Sequence, residues 1–384
     1  MKLTFLSNYF SHHQKPVCDK WHKLTEDNFT FVETEKITNE RKKLGWGIDE
    51  EISYILPSSN DNISKIIEDS DTVILGSAPF GMVTSSLNMK KPVFKYSERV
   101  FKNGCNYLKL PMRLYTYYKN YGRYKSLYLL CAGAYTYRDF AIHGTFIGKA
   151  YRWGYFPETK RYDLSELFSK KNHNRILWCG RFLDWKHPDD ALYVAEKLKA
   201  EGYNFTLDIV GTGEMQSCLE NTIKEKNLSE CVNLHGSMSP ENVREYMESA
   251  GIYLFTSDFR EGWGAVLNES MNSACAVVAN HAIGSVPYLL QNNENGLVYK
   301  NGDRESLYRK VKYLLDNADV QQNLGENAYK TITELWNADV AAERFVQLFN
   351  DIKEKGYCDR YSTGPCSKAL KLKNNWFKED KYDT

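Results

Sequence analysis

Two kinds of hydrophobic pattern alternate along the chain, and together they predict parallel sheets covered by helices. Short, almost continuous apolar runs are typical of strands buried on both faces. In the first half the predicted strands are Lys2–Ser7, Phe29–Val32, Thr72–Gly76, Pro92–Tyr96 and Leu127–Ala132. Polar stretches between them, such as Asp61–Asp69, repeat their apolar residues at the helical period and so predict covering helices.

The second half shows the same alternation more regularly. Its predicted strands are Arg175–Cys179, Phe205–Val210, Cys231–His235, Ile252–Phe255 and Ala276–Ala279. Its predicted helices are Pro188–Ala200, Glu214–Lys226, Pro240–Ser249, Ala265–Ala274, Glu305–Leu315 and Ala338–Lys353. Pro188 favours a helix start, and Ser239 is the predicted N-cap of the third helix. Such strand–helix alternation requires a parallel sheet with helices on both faces.

A polar segment without periodicity, from Phe156 to Asn174, divides the chain into two parts. The expected fold class is α/β, with two Rossmann-like, doubly wound domains whose strand ends face a shared cleft. The predicted N-terminal domain covers residues 1–157, the linker 158–174 and the C-terminal domain 175–335. Residues 336–384 are expected to form helices and a lysine-rich tail that cross back to the N-terminal domain.

Composition and charge exclude several classes of protein. The 384 residues are 42% hydrophobic and 26% charged, with a net charge of +1. Binders of duplex nucleic acid carry a basic surplus, so no nucleic-acid partner is expected. Neither a membrane span nor a signal peptide is recognisable, and nine scattered cysteines show no zinc-binding spacing. These features predict a cytoplasmic protein with free, mostly buried thiols.

A basic loop follows the first strand of the second half. It contains Gly180 and Arg181, with Lys186 five residues further on. A guanidinium and an ammonium so placed could bind one diphosphate, through charge-assisted contacts of roughly 1.5–3 kcal/mol each. A solvated basic loop is the alternative for this fragment alone.

Two further features follow the next two strands and are less specific. Gly211 and Gly213 lie between a strand and a helix, where glycine allows a ligand to approach the backbone or simply forms a tight turn. His235 and Gly236 end the following strand. A lone histidine at such a position is more often structural than functional.

The fourth feature is a pair of glutamates around a helix start. Glu261 lies in the loop after the fourth strand, and Glu269 follows inside the next helix, with seven residues between them. Gly262 and Gly264 expose backbone N–H groups at the amino end of that helix, which is a favourable place for an anion.

In this order the four features resemble the signature of GT-B glycosyltransferases of family 4, the retaining EX7E class. Asn295-Gly296-Leu297-Val298 matches the NG-containing strand that follows in that family, and the resemblance covers about residues 174–350. In the first half, Lys149–Glu158 resembles the last strand of the family's N-terminal domain. The chain is similar in style to enzymes of bacterial capsule and exopolysaccharide synthesis.

The resemblance implies transfer of a hexose-type sugar from a nucleotide diphosphate to a hydroxyl of a glycan or lipid-linked saccharide. Arg181, Lys186 and Glu261 would be catalytic. The implied donor-binding residues are Gly180, Gly211, Gly213, His235, Gly236, Gly262, Trp263, Gly264, Ala265, Val266 and Glu269. No cofactor or metal is expected, because the basic residues already supply positive charge. Asp69-Ser70-Asp71 precedes a strand, whereas a pair of metal ligands should follow one.

Departures from the family concern mainly the first half. Ser7–His13 replaces a glycine pair, and Ser97-Glu98-Arg99 replaces a histidine. His12, His13 and Glu98 are therefore candidates for contacts to the acceptor or the donor sugar. Gly284–Tyr288 also differs from the usual Gly-Gly-x-x-Glu, which affects the expected orientation of the donor sugar.

One segment suggests a further partner. Leu108–Tyr128 interleaves five basic residues with aromatic ones, a pattern typical of peripheral contact with an anionic membrane. A surface helix whose lysines snorkel over the sheet is the alternative. For the chain as a whole, the alternatives to a transferase are a catalytically silent GT-B nucleotide-binding subunit and a GT-B sugar-nucleotide epimerase.

Overall fold

The computed structural model describes residues 1–38, 47–48, 51–105 and 107–378, and these form two compact units. The first unit contains Met1–Glu158 and Leu335–Lys373, and the second contains Thr159–Glu334 and the described residues from Asn374. No helix within the described ranges is both long enough and apolar enough to cross a membrane. All nine cysteines are free thiols, as predicted, and five of them are buried.

The first unit is built on a seven-stranded sheet with the strand order β3-β2-β1-β4-β5-β6-β7. All of its strand pairs are parallel. The strands are β1 Leu3–Ser7, β2 Phe29–Glu33, β3 Ile55–Pro57, β4 Thr72–Leu75, β5 Val93–Ser97, β6 Leu127–Ala132 and β7 Ala150–Trp153. Its α-helices are Lys15–Leu24, Ile63–Asp69, Thr84–Asn88, Leu110–Tyr117, Thr136–Ala141 and Ala338–Lys355. Shorter turns are the 3₁₀ segments Phe80–Val83 and Tyr107–Lys109 and the π segment Tyr118–Gly122.

The second unit contains a six-stranded parallel sheet with the order β10-β9-β8-β11-β12-β13. The strands are β8 Asn172–Cys179, β9 Thr206–Val210, β10 Val232–Leu234, β11 Ala250–Phe255, β12 Ala276–Asn280 and β13 Leu297–Tyr299. Its α-helices are Leu164–Lys170, Pro188–Ala200, Gln216–Glu225, Pro240–Ser249, Val266–Asn272, Val286–Leu289, Arg304–Asp316 and Ala318–Lys330, with a 3₁₀ turn at Asp184–Lys186 and a π turn at Thr331–Leu335. From the middle of the sheet, β8, β9 and β10 follow one another in one direction, and β11, β12 and β13 follow in the other. The carboxyl ends of β8 and β11 therefore lie at a topological switch point.

The predicted α/β class is confirmed, and Ser239 caps the helix Pro240–Ser249 by accepting a hydrogen bond from the Asn242 amide at 3.3 Å. The segment 158–174, expected to be a linker, instead contains the helix Leu164–Lys170 and the start of β8. Asp163 caps this helix by accepting hydrogen bonds from the amides of Ser165 and Glu166. The side-chain cap therefore stabilises the start of a helix in a segment whose hydrophobic periodicity is weak.

The C-terminal tail continues the sheet of the first unit before entering the second. The Cys366 amide donates to the Arg152 carbonyl, and the Arg152 amide donates to the Ser367 carbonyl, at 2.8 and 2.7 Å. Lys368 lies antiparallel to Tyr151 and extends this contact along the edge strand β7. The tail thereby covers an edge that would otherwise present unpaired backbone groups. Residues 379–384 of the expected tail lie outside the described residues.

Candidate functional site

The donor-side residues that the sequence predicts lie at the carboxyl ends of β8, β9, β10 and β11 in the second unit. In a parallel sheet these ends share one edge, which is where ligands bind in doubly wound folds. The fold therefore brings loops of the second unit that are distant in sequence to a common edge.

Lys186 and Glu261 form an ion pair at this edge. The Lys186 Nζ atom lies 2.6 Å from Glu261 Oε2, and the two side chains are only 14% and 13% exposed. The same oxygen accepts a hydrogen bond from Ser257 Oγ at 3.1 Å. No donor to Glu261 Oε1 occurs among the described residues, so this second oxygen is available to a ligand.

Hydrogen bonds tie the loops after β8 and β11 together. Thr256 Oγ1 donates to the Lys186 carbonyl at 2.6 Å and accepts from Trp178 Nε1 at 2.8 Å. The Asp258 amide donates to the Trp185 carbonyl at 2.9 Å. Because both loops are fixed by these bonds, the Lys186–Glu261 pair is preorganised rather than dependent on flexible loops.

Asp258 organises the outer side of the same loop. Its carboxylate accepts hydrogen bonds from Arg260 and lies 3.7 Å from His187 Nε2. Burial favours the neutral acid, but the close His187 imidazole and the hydrogen bonds from Arg260 outweigh it and lower the pKa of Asp258 to about 2. The same contact to Asp258 raises the pKa of His187.

Glu269 lies in the helix Val266–Asn272, and its environment disfavours ionisation. Burial raises the pKa of its carboxyl group, although the Arg244 guanidinium opposes this effect. Within the described ranges no side chain donates a hydrogen bond to the carboxylate. The pKa of the nearby Cys179 thiol is raised to about 12. Burial is the main cause and the Glu269 carboxylate the second, whereas the Lys186 ammonium opposes both. Glu269, Cys179 and Lys186 are therefore electrostatic neighbours.

Gly211 and Gly213 allow two loops to pack closely. Both have positive φ angles, of 138° and 156°, which side chains other than glycine rarely adopt. A Cβ atom on Gly211 would lie 1.9 Å from the Gly180 carbonyl oxygen, and one on Gly213 would lie 2.6 Å from the Phe182 carbonyl oxygen. Of the two roles left open by the sequence, close loop packing is thus present, and ligand contact stays a prediction.

Gly262 and Gly264 shape the loop before the second glutamate. Gly264 has a φ of 82°, and a Cβ on it would lie 2.3 Å from the Phe255 ring. Gly262 is packed so closely that a Cβ on Gly284 would lie 1.8 Å from its carbonyl oxygen. Trp263, between them, is fully buried and donates through Nε1 to Asn268. Its ring is enclosed by protein, so only its backbone could contact a donor.

His235 belongs to a polar network beneath the site edge. Its Nε2 atom lies 2.6 Å from Asp208 Oδ1, and Asp208 is also paired with Arg175 at 2.6 Å. Burial favours the neutral form of Asp208, but bonds from His235, Arg175 and Asn233 lower its pKa. The imidazole therefore has a structural partner. The adjacent Gly236 has a φ of 72° and accepts from the Gly211 amide.

The remaining predicted donor residues are open to a ligand. Arg181 is exposed, and no carboxylate in the described part of the chain forms an ion pair with it. Ala265 and Val266 are partly buried at the start of the helix that carries Glu269. Gly180 lies against the Lys186 side chain, because a Cβ on it would lie 3.4 Å from Lys186 Cδ.

In the first unit, Tyr155 connects the residues predicted for the acceptor side. Its hydroxyl donates to Glu98 Oε1 at 2.7 Å, and its ring is nearly parallel to His13 at 6.3 Å. Lys102 Nζ lies 2.6 Å from the other oxygen of Glu98. Burial and the neighbouring His12, whose ring is 3.8 Å away, lower the pKa of His13 to about 3. Tyr155 and Lys102 had no assigned role in the sequence analysis.

Two sets of side chains contain carboxylates of the kind that bind metal ions, and their contacts argue against such a role. His187, Asp189 and Asp190 offer ligand atoms within 4.8 Å of one another, but Arg304 forms ion pairs with both carboxylates. In the Asp69-Ser70-Asp71 segment, Asp71 accepts a hydrogen bond from the Lys2 amide at 2.8 Å. Asp71 therefore lies at the amino end of β4, away from the edge where ligands bind.

Comparison with known proteins identifies the second unit. The profile of the family Glycosyl transferases group 1 matches residues 160–331. The amylovoran biosynthesis glycosyltransferase AmsK of Erwinia amylovora is 30% identical over 138 residues, which is 35% of this chain and 34% of that protein. The N-acetylgalactosamine-N,N'-diacetylbacillosaminyl-diphospho-undecaprenol 4-alpha-N-acetylgalactosaminyltransferase of Campylobacter jejuni is 33% identical over 156 residues, which is 41% of each chain. Both matches thus span less than half of the relative's length.

The fold comparison extends over both units. The crystal structure of Anabaena HepE in complex with UDP aligns with a TM-score of 0.67 at 14% identity. It covers 91% of this chain and 100% of HepE. The second unit therefore matches the Glycosyl transferases group 1 family over residues 160–331, within a chain whose two parallel-sheet units have the GT-B fold.

Proposed function

We propose that the chain is a retaining glycosyltransferase that moves a hexose-type sugar from a nucleotide diphosphate to a hydroxyl of a glycan or lipid-linked saccharide. The observation that carries this proposal is the preorganised Lys186–Glu261 pair, close to Glu269, at the carboxyl edge of the second sheet. A role in bacterial surface polysaccharide synthesis agrees with the biosynthetic name of the Erwinia relative.

Arg181 and Lys186 bind the diphosphate in this proposal. Arg181 is exposed and not engaged by a carboxylate, so its guanidinium can form forked bonds to phosphate oxygens. Lys186 keeps its bond to Glu261 and directs its remaining N–H groups to the phosphate. Both cations stabilise the negative charge that grows on the leaving diphosphate, which is usually the largest contribution to such catalysis. The same positive charge makes a bound metal unnecessary in our proposal.

The two glutamates bind the donor sugar and the ribose in this proposal. Glu261 Oε2 is held by Lys186 and Ser257, and Oε1 accepts from a hydroxyl of the donor sugar. Glu269 accepts from the ribose hydroxyls, which supply the hydrogen bonds that its carboxylate lacks in the described residues. Backbone amides near Gly264–Val266 add contacts to the phosphates, and His235 and Gly236 border the base.

Retention of anomeric configuration needs no protein nucleophile in this proposal. An oxygen of the departing diphosphate takes the proton from the acceptor hydroxyl, while Arg181 and Lys186 hold the diphosphate beside the reacting carbon.

The acceptor side belongs to the first unit, where His13, Tyr155 and Glu98 form a connected polar and aromatic group. An aromatic ring beside a carboxylate suits a sugar, which offers both C–H faces and hydroxyl groups. The name of the Campylobacter relative includes diphospho-undecaprenol, so lipid-linked saccharides are the first acceptors to test.

A product assay tests the proposal against its two alternatives. The protein is incubated with UDP-, GDP-, ADP- and CMP-linked sugars, with and without saccharide acceptors, and the products are separated by chromatography. A transferase forms an extended saccharide that depends on acceptor and is lost in the Arg181→Ala variant. An altered nucleotide sugar formed without acceptor would instead indicate an epimerase. Nucleotide binding with no product from any donor–acceptor pair would indicate a silent subunit.

A further inference from the structure

A segment of the first unit presents apolar side chains outward at helical spacing. Leu108, Met112, Tyr115 and Tyr118 are 93%, 65%, 70% and 61% exposed. They lie in and next to the helix Leu110–Tyr117, and steps of four, three and three residues place them along one side of it. A helix on the surface of a soluble domain normally shows polar residues on this side.

The opposite side of the same segment is anchored to the core. The Tyr117 ring stacks on His143 at 4.2 Å, and Tyr121 packs against Phe140 and Phe146 at 5.8 and 5.7 Å. Burial first, and then the neighbouring Tyr121, raises the pKa of Tyr117 to about 12. These contacts hold the segment against the helix Thr136–Ala141 and the loop that follows it, so the outward apolar side is part of the folded unit.

The charged residues of this stretch of sequence are all basic. From Arg99 to Arg138 the sequence contains eight Lys and Arg residues and no Asp or Glu, although the whole chain carries only +1. Four of these basic residues are exposed and have no carboxylate partner in the described part of the chain, namely Lys109, Lys119, Arg123 and Lys125. Lys149 donates to the Lys125 carbonyl at 2.6 Å, and burial together with Lys125 lowers its pKa. Lys125 and Lys149 are therefore close neighbours, and Lys109, Lys119 and Arg123 are exposed on the segment that carries the apolar stripe.

A neighbouring loop packs against the end of this segment and exposes a further apolar side chain. Phe146 packs on Tyr121, and the next residue, Ile147, is 54% exposed. Gly122 lies beside this loop, because a Cβ on it would be 3.7 Å from Thr145 Cγ2. We call this combined surface, formed by residues 108–125 and 144–149, the basic–apolar face.

We propose that the basic–apolar face docks on an anionic lipid bilayer, with Leu108, Met112, Tyr115 and Ile147 inserted at the interface and the surrounding lysines and Arg123 on lipid headgroups. Apolar side chains ringed by cations match the headgroup–acyl boundary of such a bilayer. An acidic protein partner would match the charge as well, but the long flexible cations fit a surface of many mobile phosphates. The inference goes beyond sugar transfer and does not depend on it.

Vesicle co-sedimentation in the absence of substrates tests this inference. We expect the protein to bind vesicles of phosphatidylcholine and phosphatidylglycerol, to bind pure phosphatidylcholine far less, and to be released by salt. Met112→Ser combined with Tyr115→Ser, and separately Lys119→Glu combined with Arg123→Glu, should each lower the partition coefficient by about tenfold or more. There are two matched controls, both at exposed residues of the second unit. Tyr313→Ser is the control for the apolar variant, and Lys224→Glu combined with Lys300→Glu is the control for the charge variant. Both should bind vesicles as the unchanged protein does.

Three results would overturn the inference. They are no binding to anionic vesicles at low salt, equal binding by the variants and the controls, and self-association that the same variants abolish, which would make the face a dimer interface. Circular dichroism and the thermal midpoint of each variant, compared with those of the unchanged protein, establish that the substitutions leave the first unit folded. A failure of membrane docking is thereby distinguished from a failure of the proposed transferase function.

Discussion

The Lys186 ammonium lies 2.6 Å from the Glu261 carboxylate, although 75 residues separate them in the sequence. Ser257 donates to the same carboxylate oxygen, and Thr256 fixes the backbone of Lys186. The ion pair therefore holds two loops of the second unit in register before any ligand arrives. In the proposed mechanism a diphosphate adds to this arrangement and does not have to assemble it.

Replacement of Lys186 by alanine should lower turnover by roughly 10²–10³-fold, because removal of one preorganised charge donor in an active site costs about that much. Transfer kinetics at saturating donor are the measurement. Lys224→Ala, which removes an exposed lysine of the same unit, is the control and should leave turnover unchanged. Equal turnover in the Lys186→Ala variant and the unchanged protein would remove Lys186 from the mechanism.

Nucleotide affinity should depend on the ionisation of Glu269. Burial raises the pKa of this carboxyl group, and ribose hydroxyls donate to the ionised form. At a pH near or below this raised pKa, binding should therefore release a proton, and affinity should fall as the pH drops through the raised pKa. Titration calorimetry of the nucleotide in buffers of different ionisation enthalpy measures this release. Glu269→Gln should bind more weakly and with no such pH dependence, whereas an unchanged pH profile in the variant would contradict the role.

Substitution of Gly284 by alanine should displace the loop that carries Glu261. A Cβ at this position would lie 1.8 Å from the Gly262 carbonyl oxygen, and the Gly284 amide bonds to the Glu261 carbonyl at 3.2 Å. The loop must move to avoid this overlap, which should lower the free energy of unfolding by roughly 1–3 kcal/mol, measured by urea denaturation. The same movement should weaken donor binding. Gly81→Ala is the control, because nothing lies within 4 Å of its added Cβ, and its effect should stay within about 0.5 kcal/mol.

Acid should destabilise the site loop through Asp258. A folded-state pKa of about 2, against an ordinary value of 3.8, corresponds to about 2 kcal/mol of stability. Because the pKa is lowered on folding, this contribution is complete above pH 3.8 and is lost as the pH falls towards 2. Asp258→Asn should thus be less stable at neutral pH, and the difference should shrink below about pH 4. Asp184→Asn, at a carboxylate 74% exposed, is the control, and an equal loss there would contradict the assignment.

The end of the tail should stabilise the second unit through His281. His281 Nδ1 accepts from the Asn301 amide at 3.0 Å, so its Nε2 carries the proton donated to the Asn374 carbonyl at 3.0 Å. Trp376 Nε1 donates to the His281 carbonyl at 3.3 Å, and the Phe259 ring packs on the His281 ring. Trp376→Ala should lower the thermal midpoint, with a cost of about 1–2 kcal/mol. Replacement of the exposed Tyr357 by alanine should leave the thermal midpoint unchanged. Equal midpoints for both variants would contradict a role of this contact.

Long buried elements could be predicted from the sequence because their patterns are determined locally. β6 and the helix Pro188–Ala200 have the predicted bounds, since one is a continuous apolar run and the other begins at a proline. The short edge strand β3 lacks such a run and was not predicted. The helix Leu164–Lys170 was also missed, although Asp163 followed by Glu166 is a capping signal at that place.

The site could be predicted in part. The motifs placed Lys186 and Glu261 on loops that meet, because parallel strands present their carboxyl ends at one edge. Their pairing through Ser257 and Thr256 could not be predicted, because it depends on which way each side chain faces in the folded loops. The enclosure of the Trp263 ring and the bond of His235 to Asp208 are likewise consequences of packing. The link between His13 and Glu98 through Tyr155 needs three strands to be in place, and no local pattern indicates it.

Nucleotide binding by the second unit is the most direct test of the claim on which the account rests, that the sheet edge with Lys186 and Glu261 is a donor site. We would measure the thermal midpoint without metal in the presence of UDP, GDP, ADP, CMP and their sugar conjugates, for the unchanged protein and for Lys186→Ala. At a hundredfold excess over the dissociation constant, a bound nucleotide adds about 2.7 kcal/mol of stability. The account predicts a shift with one nucleoside diphosphate and its sugar conjugate, reduced in the variant. No shift with any of them, or an equal shift in both proteins, would contradict it.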